Sequence, residues 1–524
     1  MPETVFKISE QFTKDILDLK ELDFSRGIVG IEKECLRISG SHISKRTHFP
    51  ELGSALCNKY ITTDFSEALL EFITPPLRDN PLTFQFLEDI HSFVLANIDN
   101  EVLWPFSMPL EITSDNDIPI AMYGNSNIAK LKTIYRNGLS NRYSRHMQTI
   151  SGIHFNYSLT EKLWNDNLLL EQSKSLTDIK SDIYFGGLRN LQKMNWIILY
   201  LFGASPIVPK SLLKNTNLEF KKLDDDYYYL DNGTSLRMSN IGYQTPYQSK
   251  LDISLNSINE YIRDLLSATQ KRSEIFQDIP TIVNNTFSQL SPNILQIEDE
   301  YYSSARPKNN SEEEIRMLSK LRRNGVNYIE YRSVDLNPFH RSGIDMDTVY
   351  FLELFLLYCC LKDSPMMTSD DQRESKSNTL KVATRGREKD LSLFNDQKKI
   401  ELKDWGRKII DEMMIIAEII ENNETKYIDS VRQAQLRLGS SENTPSASMI
   451  DKLVSSNQSY EEFGITRGLE NKKEFSNYHN QSLKVLEDEA RSSLNEQIKL
   501  ESGDKKSFEE YFKDYLGSVE HTID

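Results

Sequence analysis

"GIVGIEKECLRIS", residues 27–39, opens with aliphatic residues and glycines and then sets two carboxylates on alternate positions. Successive side chains of a strand point to opposite faces, so Glu32 and Glu34 share one face about 6.7 Å apart, with Lys33 and Cys35 on the other. At an effective dielectric near 20 the two charges repel by about 2.5 kcal/mol. A solvated strand face would carry them. A strand otherwise built for burial needs something cationic between them.

The rest of the chain narrows the choice. Its 524 residues are 38% hydrophobic and 27% charged, an ordinary globular composition with enough apolar material for one large or two medium cores. Acidic residues outnumber basic ones 78 to 62, for a net charge of -16, so no general attraction to phosphate backbones or anionic lipid is expected. Nucleic acid and membrane are therefore not expected partners. The first 24 residues mix charge with apolar positions at helical spacing and show no basic start before an apolar block, which predicts a cytoplasmic protein without an export signal. The most apolar run, "VYFLELFLLYCCL" (349–361), is too short to span a bilayer and contains Glu353, so it reads as a buried helix. Four cysteines without CxxC spacing argue against a disulfide scaffold or a zinc ribbon.

From residue 26 to about 160 the pattern is mostly period two, clearest in "SGIHFNYSL" (151–159), where Gly152, His154, Asn156 and Ser158 alternate with Ile153, Phe155, Tyr157 and Leu159. "YFGGLRNLQKMNWIILYLFGASP" (184–206) predicts a buried helix closed by Gly203. "NYIEYRSVDLNPF" (327–339) predicts a strand with Tyr328, Glu330, Arg332 and Val334 on one face. Beyond residue 340 the chain reads as mostly helical, as in "LKDWGRKIIDEMMIIAEIIENN" (402–423). Two polar stretches, 364–380 and 439–448, read as exposed loops or linkers.

Some chemistry is excluded. No two of the 21 glycines are two or five positions apart, which removes the dinucleotide fingerprint and the Walker phosphate loop. There is no G-x-S-x-G elbow and no HExxH pair. What remains is acids on strands. In "YITTDFSEALLEFITPP" (60–76), Glu67, Leu69, Glu71 and Ile73 would share a face, with Asp64 in the turn before them. Glu71 lies inside an apolar run, where an unpaired charge is costly. Glu330 repeats the situation with Arg332 two residues on. If these strands are neighbours, Glu32, Glu34, Glu71, His154 and Glu330 crowd one polar face that divalent cations would make tolerable. Oxygen donors with one imidazole suit Mg2+, with Mn2+ as a second choice, better than Zn2+ or copper. Such an array handles phosphate, and Arg332 would face a transferring phosphoryl group.

Motifs in order along the chain carry a resemblance: "GIEKECLRI", "ITTDFSEALLEFITP", "WPFSMP", "YRNGLSNRY", "MQTISGIHFNYS", "YFGGLRNLQKMNWIILYLFGASP", "SLRMSNIGY", "RPK" and "YIEYRSVDLNPF". From about residue 26 to 340 they closely resemble the glutamate-cysteine ligase family of the proteobacterial type. The resemblance implies an α+β fold with a glutamine synthetase-like core: a curved, mainly antiparallel sheet lining the active site and wrapped by helices, the whole of 1–524 being one catalytic unit. It also implies an ATP- and Mg2+-dependent reaction, in which the side-chain carboxylate of L-glutamate is phosphorylated and then attacked by the amine of L-cysteine. That is the first step of glutathione synthesis, with glutathione as a feedback inhibitor and a single chain as the active unit. Carried over position by position, Glu32, Glu34, Asp64, Glu71, His154 and Glu330 resemble the metal-site residues and Arg332 the phosphate contact. Phe65, Tyr135, Arg136, Arg237, Tyr243 and Tyr302 resemble the residues lining the amino-acid pockets. "TRGRE", with Gly386 and Arg387, is a further candidate for the nucleotide.

The sequence departs from the family pattern at Lys33, where arginine is expected, Cys35, where threonine is expected, and Tyr331, where a small aliphatic residue is expected. Cys35 raises the expectation of oxidation sensitivity. Three other readings share parts of this pattern: a ligase with a different amine acceptor, a two-carboxylate glycosidase, and a non-catalytic module holding structural Ca2+.

Overall fold

A computed structural model of the chain describes residues 27–161, 174–213, 216–242, 248, 251–284, 286–313, 315–421, 424–456 and 458–519. The helical reading of the first 24 residues and the pocket residue Tyr243 lie outside these described residues.

The opening stretch is a single strand, β1 (Ile28–Ser39), and seven more join it in one sheet: β2 (His42–Ile43), β3 (Ile61–Thr63), β4 (Leu69–Ile73), β5 (Val102–Leu103), β6 (Ile153–Ser158), β7 (Ala305–Lys308) and β8 (Tyr328–Val334). The order across the sheet is β7-β8-β6-β1-β4-β3, with β2 and β5 paired to the C-terminal end of β1. Every pairing is antiparallel. The strands that carry Glu71, Glu32 with Glu34, His154 and Glu330 are thus consecutive neighbours.

Period two gives this sheet two unlike faces. Val29, Ile31 and Cys35 of β1 join Phe72, Ile153, Phe155, Tyr157, Ile329 and Tyr331 in the main core. Helices cover that side: α1 (Asn80–Asn97) packs on β1 and β4, α2 (Leu176–Phe202) on β7 and β8, and α3 (Met346–Leu361) beside α2 and against β6. On the other face, Leu36 and Ile38 follow Glu34 into a second apolar cluster with Phe65, Leu69, Trp104 and Phe106. The acids therefore occupy a polar strip that apolar packing closes at one end.

Several expectations change. The stretch to residue 160 is not all strand, because α1 and a helix at Asn127–Tyr143 interrupt it. The helix expected at 184–206 starts earlier, at Leu176, where Ser175 accepts a hydrogen bond from the Asp178 amide; its charged first turns hide the period. Residues 364–380 are not an exposed loop: Thr368 and Asp371 form a capping box that starts a helix, α4 (Ser369–Arg385). Its buried face is built largely of Gln372, Ser375, Asn378 and Thr379, so apolar periodicity is absent; Asn378 instead exchanges hydrogen bonds of 2.6 and 3.0 Å with the Phe394 backbone. Residues 440–444 are a tight connection between two helices and 445–448 already belong to the second, with Thr444 and Ser446 wholly buried.

The three departures in sequence are absorbed by the core side. Tyr331 donates to Asn195 Oδ1 at 2.7 Å. Lys33 Nζ donates to His91 Nε2 at 2.7 Å, with burial lowering its pKa to about 8. Cys35 is fully buried and burial pushes its thiol up to about 12, which removes the thiolate that oxidation needs and overturns the expectation of redox sensitivity. Mild peroxide should leave Cys35 unmodified in the folded protein by peptide mass spectrometry. Phe155→Ala, which deletes a fully buried ring lying between Ile31 and Tyr331, should cost about 3–5 kcal/mol, read as a lower urea midpoint.

Candidate active site

Strand register assembles the polar face. Glu34 stands directly opposite Glu71 of β4, Glu32 opposite His154 of β6, and Glu330 opposite Asn156. On the far side Glu330 faces Arg306 of β7. His154 joins the acids, with Nδ1 3.2 Å from Glu32 Oε2 and Nε2 3.5 Å from Glu34 Oε1. Asn156 Nδ2 donates to Glu32 Oε1 at 2.7 Å, and the Gly152 amide donates to Glu34 Oε2 at 2.7 Å. Each oxygen of Glu330 meets a cation: Lys308 Nζ lies 3.2 Å from Oε1 and Arg332 Nη1 lies 3.1 Å from Oε2.

These surroundings split the four glutamates. Burial pushes Glu330 up, but Lys308, Arg332 and His154 outweigh it and hold it well below the usual carboxylate range. Burial likewise raises Glu32, and the His154 hydrogen bond turns the net shift downward. Glu34 is raised, chiefly by burial. Glu71 is raised well above the usual range by burial and then by Glu32, Asp64 and Glu34. Among the described residues the Glu71 carboxylate has no hydrogen-bond or ion-pair partner, its charge being relieved in part by Arg332.

The residues present fit a divalent cation. One donor atom each from Glu32, His154 and Glu330 lie within 4.8 Å of one another. Glu34, Asp64 and Glu71 adjoin it as carboxylates that repel one another. Oxygen donors with one imidazole match Mg2+ or Mn2+.

The remaining candidates divide between the two ends of this face. Arg136 donates through Nε to the Asp64 carbonyl and lies over the Tyr123 ring at 4.6 Å. Tyr123 itself donates to the Thr63 and Asp64 carbonyls, so the Asp64 turn is pinned from two sides. Tyr135 packs at the margin of the apolar cluster that buries Phe65. At the other end Arg237 is fully buried and donates through Nη2 to the Arg332 carbonyl at 2.8 Å. A side chain at Gly152 would collide with the Arg237 guanidinium, so this glycine lets the arginine approach the strand. Arg237, Arg332 and Tyr302, with Tyr301, Gln248 and Lys376, line a cavity of about 520 Å3. Tyr302 is fixed by Gln148, whose Nε2 lies 2.9 Å from its hydroxyl.

Two expected face positions change, and the candidate Arg387 has backbone partners of its own. Glu67 does not share the face of Glu71: β4 starts only at Leu69, and the buried Glu67 carboxylate accepts the His48 and Met122 amides. Val334 leaves the face because β8 shifts register after Tyr331, placing it opposite Ile153 on the apolar side. Arg387 donates to the backbone at Asp231 and Gly233, fixing a turn. Two contributors escaped the sequence reading. Asn156 was visible in the alternation of 151–159 without a role. Lys308 stood in "RPK", but its place on the face depends on β7 pairing with β8 across twenty residues.

A carboxylate-rich antiparallel face thus stands beside a cation-lined cavity. The model of the glutamate-cysteine ligase family matches residues 17–382, and the chain belongs to that family. It is 41% identical over 501 residues to glutamate-cysteine ligase of Alcanivorax borkumensis, covering 93% of this chain and 95% of that one. It is 37% identical to the enzyme of the same description from Pseudomonas fluorescens, covering 94% and 93%. The crystal structure of glutamate-cysteine ligase from Francisella tularensis in complex with AMP superposes with a TM-score of 0.89 at 35% identity, covering 95% of this chain and 98% of that one. A bifunctional glutathione synthetase from Pasteurella multocida shares the fold, with a TM-score of 0.73 at 23% identity, over 93% of this chain and 58% of that one.

Because Glu34 and Glu71 titrate higher in the folded chain than in the unfolded one, the metal-free fold loses stability as pH rises from about 4.5 through their folded values. Glu71→Gln should therefore raise the melting temperature of the chelator-treated protein at pH 8 by about 1–3 °C, a scale set by chain length, and shrink the upward shift that Mg2+ gives. Differential scanning fluorimetry with and without Mg2+ reads both effects.

Proposed function

We infer that this protein is an ATP-dependent glutamate-cysteine ligase. It transfers the terminal phosphoryl group of ATP to the side-chain carboxylate of L-glutamate; the amine of L-cysteine then attacks the acyl carbon, phosphate leaves with the bonding electron pair, and the amine loses a proton. The products are gamma-glutamylcysteine, ADP and phosphate, and the step is the first in glutathione synthesis. The observation that carries this is the juxtaposition of the Glu32–His154–Glu330 cluster with Arg332 and the cavity that Arg332 shares with Arg237.

The chemistry needs both halves of that arrangement. A carboxylate is a poor acyl donor until phosphate makes one of its oxygens a leaving group. Mg2+ on the acidic face, held by Glu32, Glu34, Asp64, Glu71, His154 and Glu330, would offset the charge on the phosphates. Arg332, anchored through Glu330, is placed to meet the transferring group. Arg237 supports β8 at the Arg332 carbonyl and presents a fixed cation to a substrate carboxylate. Tyr302 and Tyr135, with Arg136 and Phe65 behind the Asp64 turn and Tyr243, are the proposed walls of the amino-acid pockets, apolar toward a thiol and polar at the tips.

The same reading includes finer features: a curved core of the glutamine synthetase kind, one catalytic unit running from the sheet-bearing 26–340 into the helical 341–524, action as a monomer in the cytoplasm, and inhibition by glutathione. Two observations accord with it. The sheet is antiparallel with a single acid-lined face, and no helix among the described residues is long and apolar enough to cross a membrane.

ADP release with Mg2+, ATP and glutamate should require cysteine, yield gamma-glutamylcysteine by mass spectrometry, and fall at least 100-fold in Glu330→Gln. Turnover with another amine and none with cysteine would move the assignment to a ligase of different acceptor.

A further inference from the structure

We propose that Lys308 is a phosphate-binding residue of this site, held in reserve by Glu330 until nucleotide and metal arrive; this rests on the ligase reading above.

Three cations approach Glu330, and their other partners differ. Arg306, directly opposite it, is committed elsewhere: its Nη2 donates to the Asp299 carbonyl at 2.9 Å and also to the Tyr301 carbonyl. Arg332 bonds one carboxylate oxygen of Glu330, and its backbone carbonyl is tied to Arg237. Lys308 bonds the other oxygen, and Glu330 is the one acid in ion-pair distance of its ammonium among the described residues. Lys308 is two residues from Arg306 on β7, so both project from the polar face of the sheet, Lys308 one position further out, opposite Tyr328.

Glu330 is also one of the three groups whose donor atoms converge within 4.8 Å, so a divalent cation and Lys308 compete for the same carboxylate. An ammonium that has lost its carboxylate in a largely buried place needs another anion. The polyphosphate chain that accompanies the metal is the anion available. Gly30, opposite Asn156, adds no side chain to this face, and a Cβ there would already be in ordinary contact with Asn156 at 3.6 Å. Lys308 and Arg332 thus flank Glu330 from opposite sides, and the phosphate chain would cross between them. A compact ammonium on a flexible stem suits this exchange better than the fixed fork of arginine.

The test uses the full chain and two separate readouts. Free Mn2+ is titrated by electron paramagnetic resonance without nucleotide, and binding of the non-hydrolysable β,γ-methylene analogue of ATP is measured by calorimetry at saturating Mn2+. Lys308→Met should bind Mn2+ as tightly as the parent or several-fold tighter, having lost the competitor, while its affinity for the analogue falls tenfold or more. Lys308→Arg should restore analogue affinity to within about threefold. Intact Mn2+ binding by Lys308→Met also shows that the acidic face is folded. Unchanged analogue affinity in Lys308→Met would overturn the proposal and leave the ligase reading standing, with Lys308 a structural partner of Glu330. Absence of analogue binding by the parent protein would overturn both.

Discussion

The mutual repulsion of carboxylates on one strand face is the constraint on which the rest of the structure depends. Strand pairing sets Glu34 against Glu71 and Glu32 against His154, and period two forbids any of them from turning to the core side without carrying its neighbours along. The fold answers this unevenly. Glu330 and Glu32 receive fixed partners and remain ionised, whereas Glu34 and Glu71 are left high in pKa with their charge offset only in part. A face so divided is poised for a mobile cation, and a protein whose business is polyphosphate brings one with its substrate.

The helices make that face rigid without touching it. α2 lies under β7 and β8 and α1 under β1 and β4, so the strands that bear the acids are held by apolar packing on their reverse side. The second cluster, with Leu36, Phe65 and Trp104, closes the face beyond Glu34, and the pinned Asp64 turn sits at that border. At the opposite end the buried Arg237 bonds the backbone of β8 at Arg332, and both arginines line the cavity. Substrate-binding and metal-binding groups thus stand on one scaffold, which fixes their separation.

Much of this was legible in the sequence because the signal was local. Alternation in 27–39 and 151–159 puts Glu32, Glu34 and His154 on one kind of face whatever the strand pairing, and an apolar run around Glu71 marks it as costly. What stayed hidden depended on distant partners. The helix at Ser369–Arg385 buries polar side chains satisfied by hydrogen bonds, so no apolar period announces it. Glu67 looked equivalent to Glu71 by spacing, yet its fate was set by the His48 and Met122 amides. Val334 left the face through a register shift that no composition predicts. Lys308 was in view within a motif, but its nearness to Glu330 is a product of the β7–β8 register.

The central claim, that the face formed by β4, β1, β6 and β8 exists to hold a divalent cation against phosphate, is tested most directly by diffraction from crystals grown with Mn2+ and the ATP analogue. Anomalous density within coordination distance of Glu32, His154 and Glu330, with phosphate oxygens on its open side, is the expected result. Mn2+ and nucleotide bound elsewhere, with these three side chains keeping their metal-free partners, would contradict it.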